Sequence, residues 1–147
     1  MAEKALRHVY EIYVKTTPAK LWNAITRFEV VRRYYYGMGL KADLKPGAPL
    51  EYVDPKSGKA VIVGRVIEVV PRKKFVHTFQ FAHHRKPDPP SRVTYTIKRR
   101  QGVSWLTLVH DRFPEETRTY RSVRSGWPPI LSGLKSLLET GKPLWKG

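Results

Sequence analysis

Two histidines stand out because each lies in a run of otherwise apolar, alternating residues. His77 falls within the phenylalanine-rich run 75–81, and His110 ends the leucine-rich run 106–110. Residues two apart share one face of a strand, so both imidazoles are predicted to point inward. A buried imidazole needs hydrogen-bond partners, and it can also orient a ligand or exchange a proton near neutral pH. A core role, a ligand-orienting role and acid–base catalysis, the last also open to Tyr95, all remain open.

Other chemistries are excluded or disfavoured by residue type and position. The 147 residues include no cysteine, which removes disulfides, thiolate catalysis and cysteine-based metal sites. His110 and Asp111 are neighbours in a predicted strand and face opposite ways, so they should not pair as a dyad. His83, His84 and Asp88 lie in a proline-rich loop without ligand spacing. We therefore expect no metal and no cofactor.

The charge balance is strongly basic. Twenty-eight Lys and Arg residues face 12 Asp and Glu residues, giving a formal net charge of +16. Such a field attracts polyanions, although it also serves solubility alone. Two predicted turns, near 71–74 and 98–103, should lie at the same end of the sheet. They would form a basic patch and a candidate polyanion site, for which no interleaved aromatic platform is expected: Arg72, Lys73, Lys74, Lys98, Arg99 and Arg100.

The first third of the chain predicts one strand and two helices. Residues 8–15 alternate between apolar and polar types, as in a half-buried strand. Thr17 and Pro18 are typical of an N-cap and the first helical position, and they begin a helix near 18–27. A second helix is predicted at 29–36. It ends in the run Tyr34-Tyr35-Tyr36, of which at most two rings can face inward.

The rest of the chain predicts a meander followed by a long helix. Runs with a period of two, separated by turn residues, predict antiparallel strands near 40–45, 49–54, 60–70, 74–82, 91–99 and 104–112. Glu115 and Glu116 favour a helix start. An apolar stripe runs from Ile130 to Leu138, and the prolines in the segment 126–129 should break or kink the helix before it. Gly141 is a suitable terminator.

These elements predict a single α+β domain spanning residues 1–147. In this arrangement a curved antiparallel sheet of about six or seven strands wraps around the C-terminal helix. The N-terminal residues show no signal-peptide pattern, and no apolar run approaches the roughly 20 residues of a membrane helix. The absence of cysteine fits a reducing compartment. We therefore expect a cytoplasmic protein.

Several segments, in this order and spacing, carry a resemblance to a known family. They cover nearly the whole chain: 17–22, 24–26, 43–47, 64–69, 91–94, 106–111, 126–131 and 138–144. The sequence resembles the START-like, or SRPBCC, superfamily, whose helix-grip fold is also that of the birch pollen allergen. Within it, the chain is most similar to the bacterial branch of homologues of the activator of heat-shock protein 90 ATPase. Because this superfamily hosts lipid carriers, cyclases and co-chaperone-like domains, the resemblance indicates the fold more than the function.

A helix-grip fold implies a cavity between sheet and terminal helix. Strand parity and the helical stripe select its candidate lining: Tyr34, Tyr35, Phe75, His77, Phe79, Tyr95, Leu106, Leu108, His110, Trp127, Leu131 and Leu134. An ordinary hydrophobic core is the competing interpretation of the same residues. The favoured function is a non-enzymatic protein that binds a small apolar or amphipathic ligand. The alternatives are a chaperone-regulating interaction domain, a cyclase- or hydrolase-like enzyme using the same cavity, and a polyanion-binding protein, with nucleic acid as one partner.

Overall fold

The computed structural model describes residues 6–145 of the chain. In chain order the elements are β1 (His8–Val14), α1 (Pro18–Thr26), α2 (Phe28–Val31), β2 (Gly39–Ala42), β3 (Pro49–Val53), β4 (Ala60–Val70), β5 (Lys74–Phe81), β6 (Ser91–Arg100), β7 (Val103–Asp111) and α3 (Arg118–Thr140). No helix within these residues has both the length and the apolar character of a membrane span.

All seven strands belong to one curved antiparallel sheet, in the order β1-β7-β6-β5-β4-β3-β2. Strands β2 to β7 follow one another as a meander, and β1 pairs with β7, so that Tyr13 lies opposite Trp105. The alternating inner residues of β5, β6 and β7 are buried against α3. The predicted class, an α+β helix-grip architecture with two short helices after the first strand, is confirmed.

The β6–β7 connection is a tight two-residue hairpin. Gln101 and Gly102 both have positive φ angles, of 49° and 84°, as the type I′ hairpin turn requires. Because this turn matches the right-handed twist of the strands, pairing continues to Arg100 and Val103 at the tip. The hairpin therefore projects the basic end of β6 from one end of the sheet.

Helix α1 begins where the sequence predicts. The Thr17 hydroxyl accepts a hydrogen bond from the Lys20 amide at 3.2 Å, and Pro18 occupies the first turn. This cap satisfies one of the amides that a helix start leaves without a partner. One face of α1 then enters the core with Leu21, Trp22, Ala24 and Ile25.

The second helix is shorter than predicted. It ends at Val31 instead of residue 36, and the chain continues through turns to Gly37. Tyr36 and Gly37 have positive φ angles, of 52° and 78°, which an α-helix cannot contain. This bend buries Tyr34 and Tyr35 and leaves Tyr36 59% exposed.

Of the two predicted effects of the prolines, a break or a kink, the break does not occur in α3. The helix runs without a gap from Arg118 to Thr140 through Pro128 and Pro129. Pro128 has no N–H to donate to the carbonyl of Arg124, four residues earlier. The hydroxyl of Tyr10 donates to that carbonyl at 3.0 Å. A partner from another element therefore replaces one lost helical bond, while the buried face of α3 holds the helix against the sheet.

Two glycines give a stability test of this packing. A methyl group on Gly64 in β4 would lie 2.0 Å from the Thr78 carbonyl oxygen, whereas one on Gly126 in α3 would meet open space. We expect Gly64→Ala to destabilise the fold by at least about 2 kcal/mol, since the backbone must move. Gly126→Ala should stabilise it by up to about 1 kcal/mol through helix propensity. Urea unfolding of both variants measures the difference, and equal stabilities would contradict the close approach at Gly64.

Candidate functional site

The structure collects the twelve predicted cavity residues in one region, but few of them border open space. Three of them, Tyr35, Phe79 and Trp127, line a pocket between the sheet and α3. The other nine pack together in the buried interior: Tyr34, Phe75, His77, Tyr95, Leu106, Leu108, His110, Leu131 and Leu134. The centre of the hollow is therefore filled by side chains, and the pocket lies at one end of it.

This pocket has a volume of about 320 Å³ and opens to solvent beside the first half of α3. Its lining is mainly aromatic and aliphatic, with two serines: Tyr35, Tyr36, Met38, Ile62, Phe79, Phe81, Ser122, Val123, Ser125, Gly126, Trp127 and Ile130. The sequence analysis did not predict most of the α3 residues that line the pocket. The available signal was the small residues Ser122, Ser125 and Gly126, which recur at helical spacing and leave room beside α3.

Aromatic packing holds the inner wall of the pocket in place. The Tyr35 ring stacks on Tyr52 with centroids 4.4 Å apart and meets Trp127 edge-on at 5.9 Å. At the mouth, the Tyr36 hydroxyl donates to the Gly126 carbonyl at 2.8 Å. Burial raises the pKa of Tyr35 well above its usual value, so its hydroxyl stays neutral. The turn that contains Tyr35 and Tyr36, here called the tyrosine turn, therefore contacts α3 at two points, the Trp127 ring and the Gly126 carbonyl.

His110 is fully engaged inside the core. The indole Nε1–H of Trp127 donates to His110 Nδ1 at 3.0 Å. This contact assigns the ring proton to Nε2, which donates to the Ser91 hydroxyl at 2.7 Å. Burial, followed by the charges of His77 and His8, lowers the pKa of His110 to about 3. With both nitrogens occupied, this imidazole positions Trp127 and presents no free nitrogen to the pocket.

His77 is also buried, and it lies in the same cross-strand row as His110. The sheet register aligns His77 with Val93 and Val93 with His110. Its Nδ1 lies 2.7 Å from the Thr78 carbonyl and so carries the proton. Its Nε2 has no hydrogen-bond partner within residues 6–145, and the side chain is completely buried. Burial lowers the pKa of His77 to about 4, against the opposing effect of the Thr78 contact. It does not line the pocket.

A second depression lies between the start of α1 and the two basic turns. This groove has a volume of about 900 Å³, and its wall includes Arg72, Lys73, Lys74, Lys98 and Arg99. The sixth predicted cation, Arg100, instead lies over Trp105, with its guanidinium carbon 5.9 Å from the ring centroid. The turns at 71–74 and 98–103 are therefore side by side.

The expectation that no aromatic platform accompanies these cations is wrong. Trp105 lies parallel to Tyr13, with ring centroids 5.8 Å apart and planes 16° apart. Lys98 Nζ lies 5.7 Å from the Trp105 ring. The pair is formed by β1 and β7, which are distant in sequence, so local spacing could not reveal it.

The proline-rich loop that contains Asp88 is attached to helix α3 by hydrogen bonds. Asp88 accepts hydrogen bonds from the backbone amide and the hydroxyl of Thr119, at 2.9 and 2.6 Å. These contacts lower the pKa of Asp88 and fasten the loop to the first turn of α3. Within residues 6–145, no three His, Asp or Glu side chains are grouped as metal ligands would be.

A seven-stranded sheet gripping one long helix, with a pocket between them, defines a START-like protein. The comparison with family models is more specific. Residues 15–139 match the family described as "Activator of Hsp90 ATPase homolog 1-like protein". The chain belongs to this family. No curated protein matches the chain.

Solved structures support the same fold. A protein from Mesorhizobium loti is 25% identical, with a TM-score of 0.76 over 90% of this chain and 96% of that one. An HSP90 activator from Plasmodium falciparum is 23% identical, with a TM-score of 0.74 and coverages of 90% and 96%. The Aha1 dimer from Colwellia psychrerythraea is 18% identical, with a TM-score of 0.74 and coverages of 92% and 98%.

The two buried histidines predict that stability falls in mild acid. Each pKa is lower in the folded chain than the ordinary value of 6.5, so the unfolded chain takes up protons first. Stability is unaffected above pH 6.5 and declines below it, by at most about 1.4 kcal/mol per pH unit for each histidine. Between pH 7 and pH 5 we expect a loss of up to about 4 kcal/mol, measured by urea unfolding across that range.

A variant identifies the source of this pH dependence. His110→Phe removes one titrating group, so about one proton fewer is taken up on unfolding in mild acid. The free energy of unfolding of this variant should therefore fall less steeply with decreasing pH. The exposed loop variant His83→Gln provides the surface control. A wild-type stability that stays constant from pH 7 to pH 5 would refute the assignment of two neutral interior histidines.

Proposed function

We propose that this chain binds a small apolar or amphipathic molecule in the pocket between α3 and the sheet. The observation that carries the proposal is an open, aromatic-lined space of about 320 Å³ beside an otherwise filled core. Ligand sites are typically concave and mostly apolar, with a few polar groups that set orientation. Ser122 and Ser125 would supply those polar groups here.

The volume limits the ligand class. It lies at the lower end of the range of roughly 300–1,000 Å³ typical of ligand sites. A compact aromatic or a short-chain amphiphile fits this space better than a sterol. Trp127 and Tyr35 are held by neighbouring rings and hydrogen bonds, so the inner wall of the pocket is already in position. Little conformational entropy would be lost on binding.

The geometry favours binding over catalysis by the predicted histidines. His110 uses both ring nitrogens within the core, and His77 is sealed away from the pocket lining. A general acid or base must come within hydrogen-bond reach of the reacting group. Neither imidazole meets this condition in the described geometry.

A pocket-filling substitution tests the proposal. The exposed Ser122 lines the pocket, whereas Ser132 is exposed on α3 outside it. We expect the uncharged fluorophore N-phenyl-1-naphthylamine to bind wild type with one-to-one saturation. Ser122→Trp should weaken that binding by about tenfold or more, since an indole ring then occupies the space. Ser132→Trp should bind like wild type, and fluorescence titration measures all three.

Two results would count against the ligand pocket. One is the absence of saturable binding to the wild-type protein. The other is equal affinity in the Ser122→Trp and Ser132→Trp variants, which would place the fluorophore elsewhere. Circular dichroism of each variant confirms that the fold is retained in the comparison.

We also propose a chaperone-regulating interaction as a second function. It is favoured by the family match over residues 15–139, whose description names an activator of Hsp90 ATPase. The direct measurement is the ATPase rate of an Hsp90-type chaperone with and without this protein. A severalfold increase that saturates with protein concentration is expected, and an unchanged rate at saturating protein would exclude this role.

A further inference from the structure

The outer face of the sheet carries an aromatic pair directly beside the basic turns. Tyr13 and Trp105 lie opposite each other on β1 and β7, and Lys98 is opposite Trp105 on β6. Tyr13 is 45% exposed although it is a large aromatic residue. Burial in the core therefore does not explain Tyr13, whose ring is partly open to solvent beside the half-buried Trp105.

The cations around this pair are available for binding. Lys74 is the exception, because it pairs with Glu68 at 3.2 Å. In the chain from residue 6 to residue 145, the other five form no ion pair: Arg72, Lys73, Lys98, Arg99 and Arg100. All five are exposed. Their positive charge is therefore not neutralised by neighbouring carboxylates.

Lys98 joins the groove to the aromatic pair. Its side chain lines the groove of about 900 Å³ and also reaches over the Trp105 ring at 5.7 Å. Arg100 contacts both rings, since its Nη1 donates to the Tyr13 hydroxyl at 3.3 Å while its guanidinium lies over Trp105. Cations that follow a groove and end at stacked rings form one continuous surface.

We propose that this surface binds single-stranded nucleic acid. Phosphates lie along the groove at Arg72, Lys73, Lys98 and Arg99, and unpaired bases stack on Tyr13 and Trp105. A groove of positive charge beside aromatic rings is the combination by which single strands are bound without sequence readout. An acidic peptide without aromatic side chains would use the charges but would leave the rings without a stacking partner. The net charge of +16 adds long-range attraction for a polyanion.

The charge contribution is tested with matched double variants. Lys73→Gln with Arg99→Gln removes two groove cations, and Lys41→Gln with Lys45→Gln removes two exposed cations elsewhere. Anisotropy of a fluorescein-labelled oligothymidylate 12-mer is measured from 50 to 300 mM salt. The groove variant should bind at least about tenfold more weakly. The slope of the logarithm of its binding constant against the logarithm of salt concentration should be smaller in magnitude by about 1.4, since two phosphate contacts are lost. The control should retain the wild-type slope.

The stacking contribution is tested separately. Tyr13→Ala should weaken oligonucleotide binding by about fivefold or more without changing the salt slope, because a stacked base is lost but no phosphate contact is. Val9→Ala is the matched control, since Val9 is 46% exposed on the same face of β1. Quenching of tryptophan fluorescence by the oligonucleotide should be reduced in Trp105→Phe.

Competitors decide between nucleic acid and other polyanions. Unlabelled oligothymidylate should displace the probe, and poly-glutamate of equal charge should compete poorly. Equal competition by poly-glutamate, together with no effect of Tyr13→Ala, would overturn the proposal and assign the surface to acidic proteins. A salt-independent affinity would also overturn it. The Ser122→Trp variant should bind oligonucleotide normally, so this inference does not depend on the ligand pocket.

Discussion

The hydrogen bond from Trp127 to His110 organises the interior of this protein. It joins the middle of α3 to β7, and His110 extends the link to Ser91 at the start of β6. Because both imidazole nitrogens are engaged, the ring is satisfied only in its neutral form. The helix is therefore held at one position along the sheet by polar geometry as well as by apolar burial. Breaking one partner would leave a buried polar group without compensation.

That position determines where open space remains. Large side chains from β5, β6 and β7 meet the leucine-rich half of α3 and fill the centre of the hollow. Ser122, Ser125 and Gly126 lie on the other half of the helix, and the pocket forms beside them. The tyrosine hydroxyls of Tyr10 and Tyr36 contact carbonyls of the same helical segment.

The outer surface follows a different constraint. The inner face must be apolar, so cations and exposed rings are confined to the outer face and to the turns. Strand alternation places Lys98 and Arg100 on the same side as Trp105, while Arg99 lines the groove. The pocket beside α3 and the basic surface therefore lie on separate parts of the fold.

The sequence by itself determined the period of each element, the N-cap at Thr17 and the class of the fold, because alternation, helical spacing and turn residues are local signals. It also identified which residues face inward on β5 to β7. It left open whether the helix breaks or only kinks at the prolines, since the hydroxyl of Tyr10 that binds the Arg124 carbonyl lies more than a hundred residues away. It missed the Tyr13–Trp105 pair because these two residues are also far apart in the sequence. Only the tertiary structure decided which inner residues fill the core and which border the pocket, because that outcome depends on how distant side-chain volumes meet.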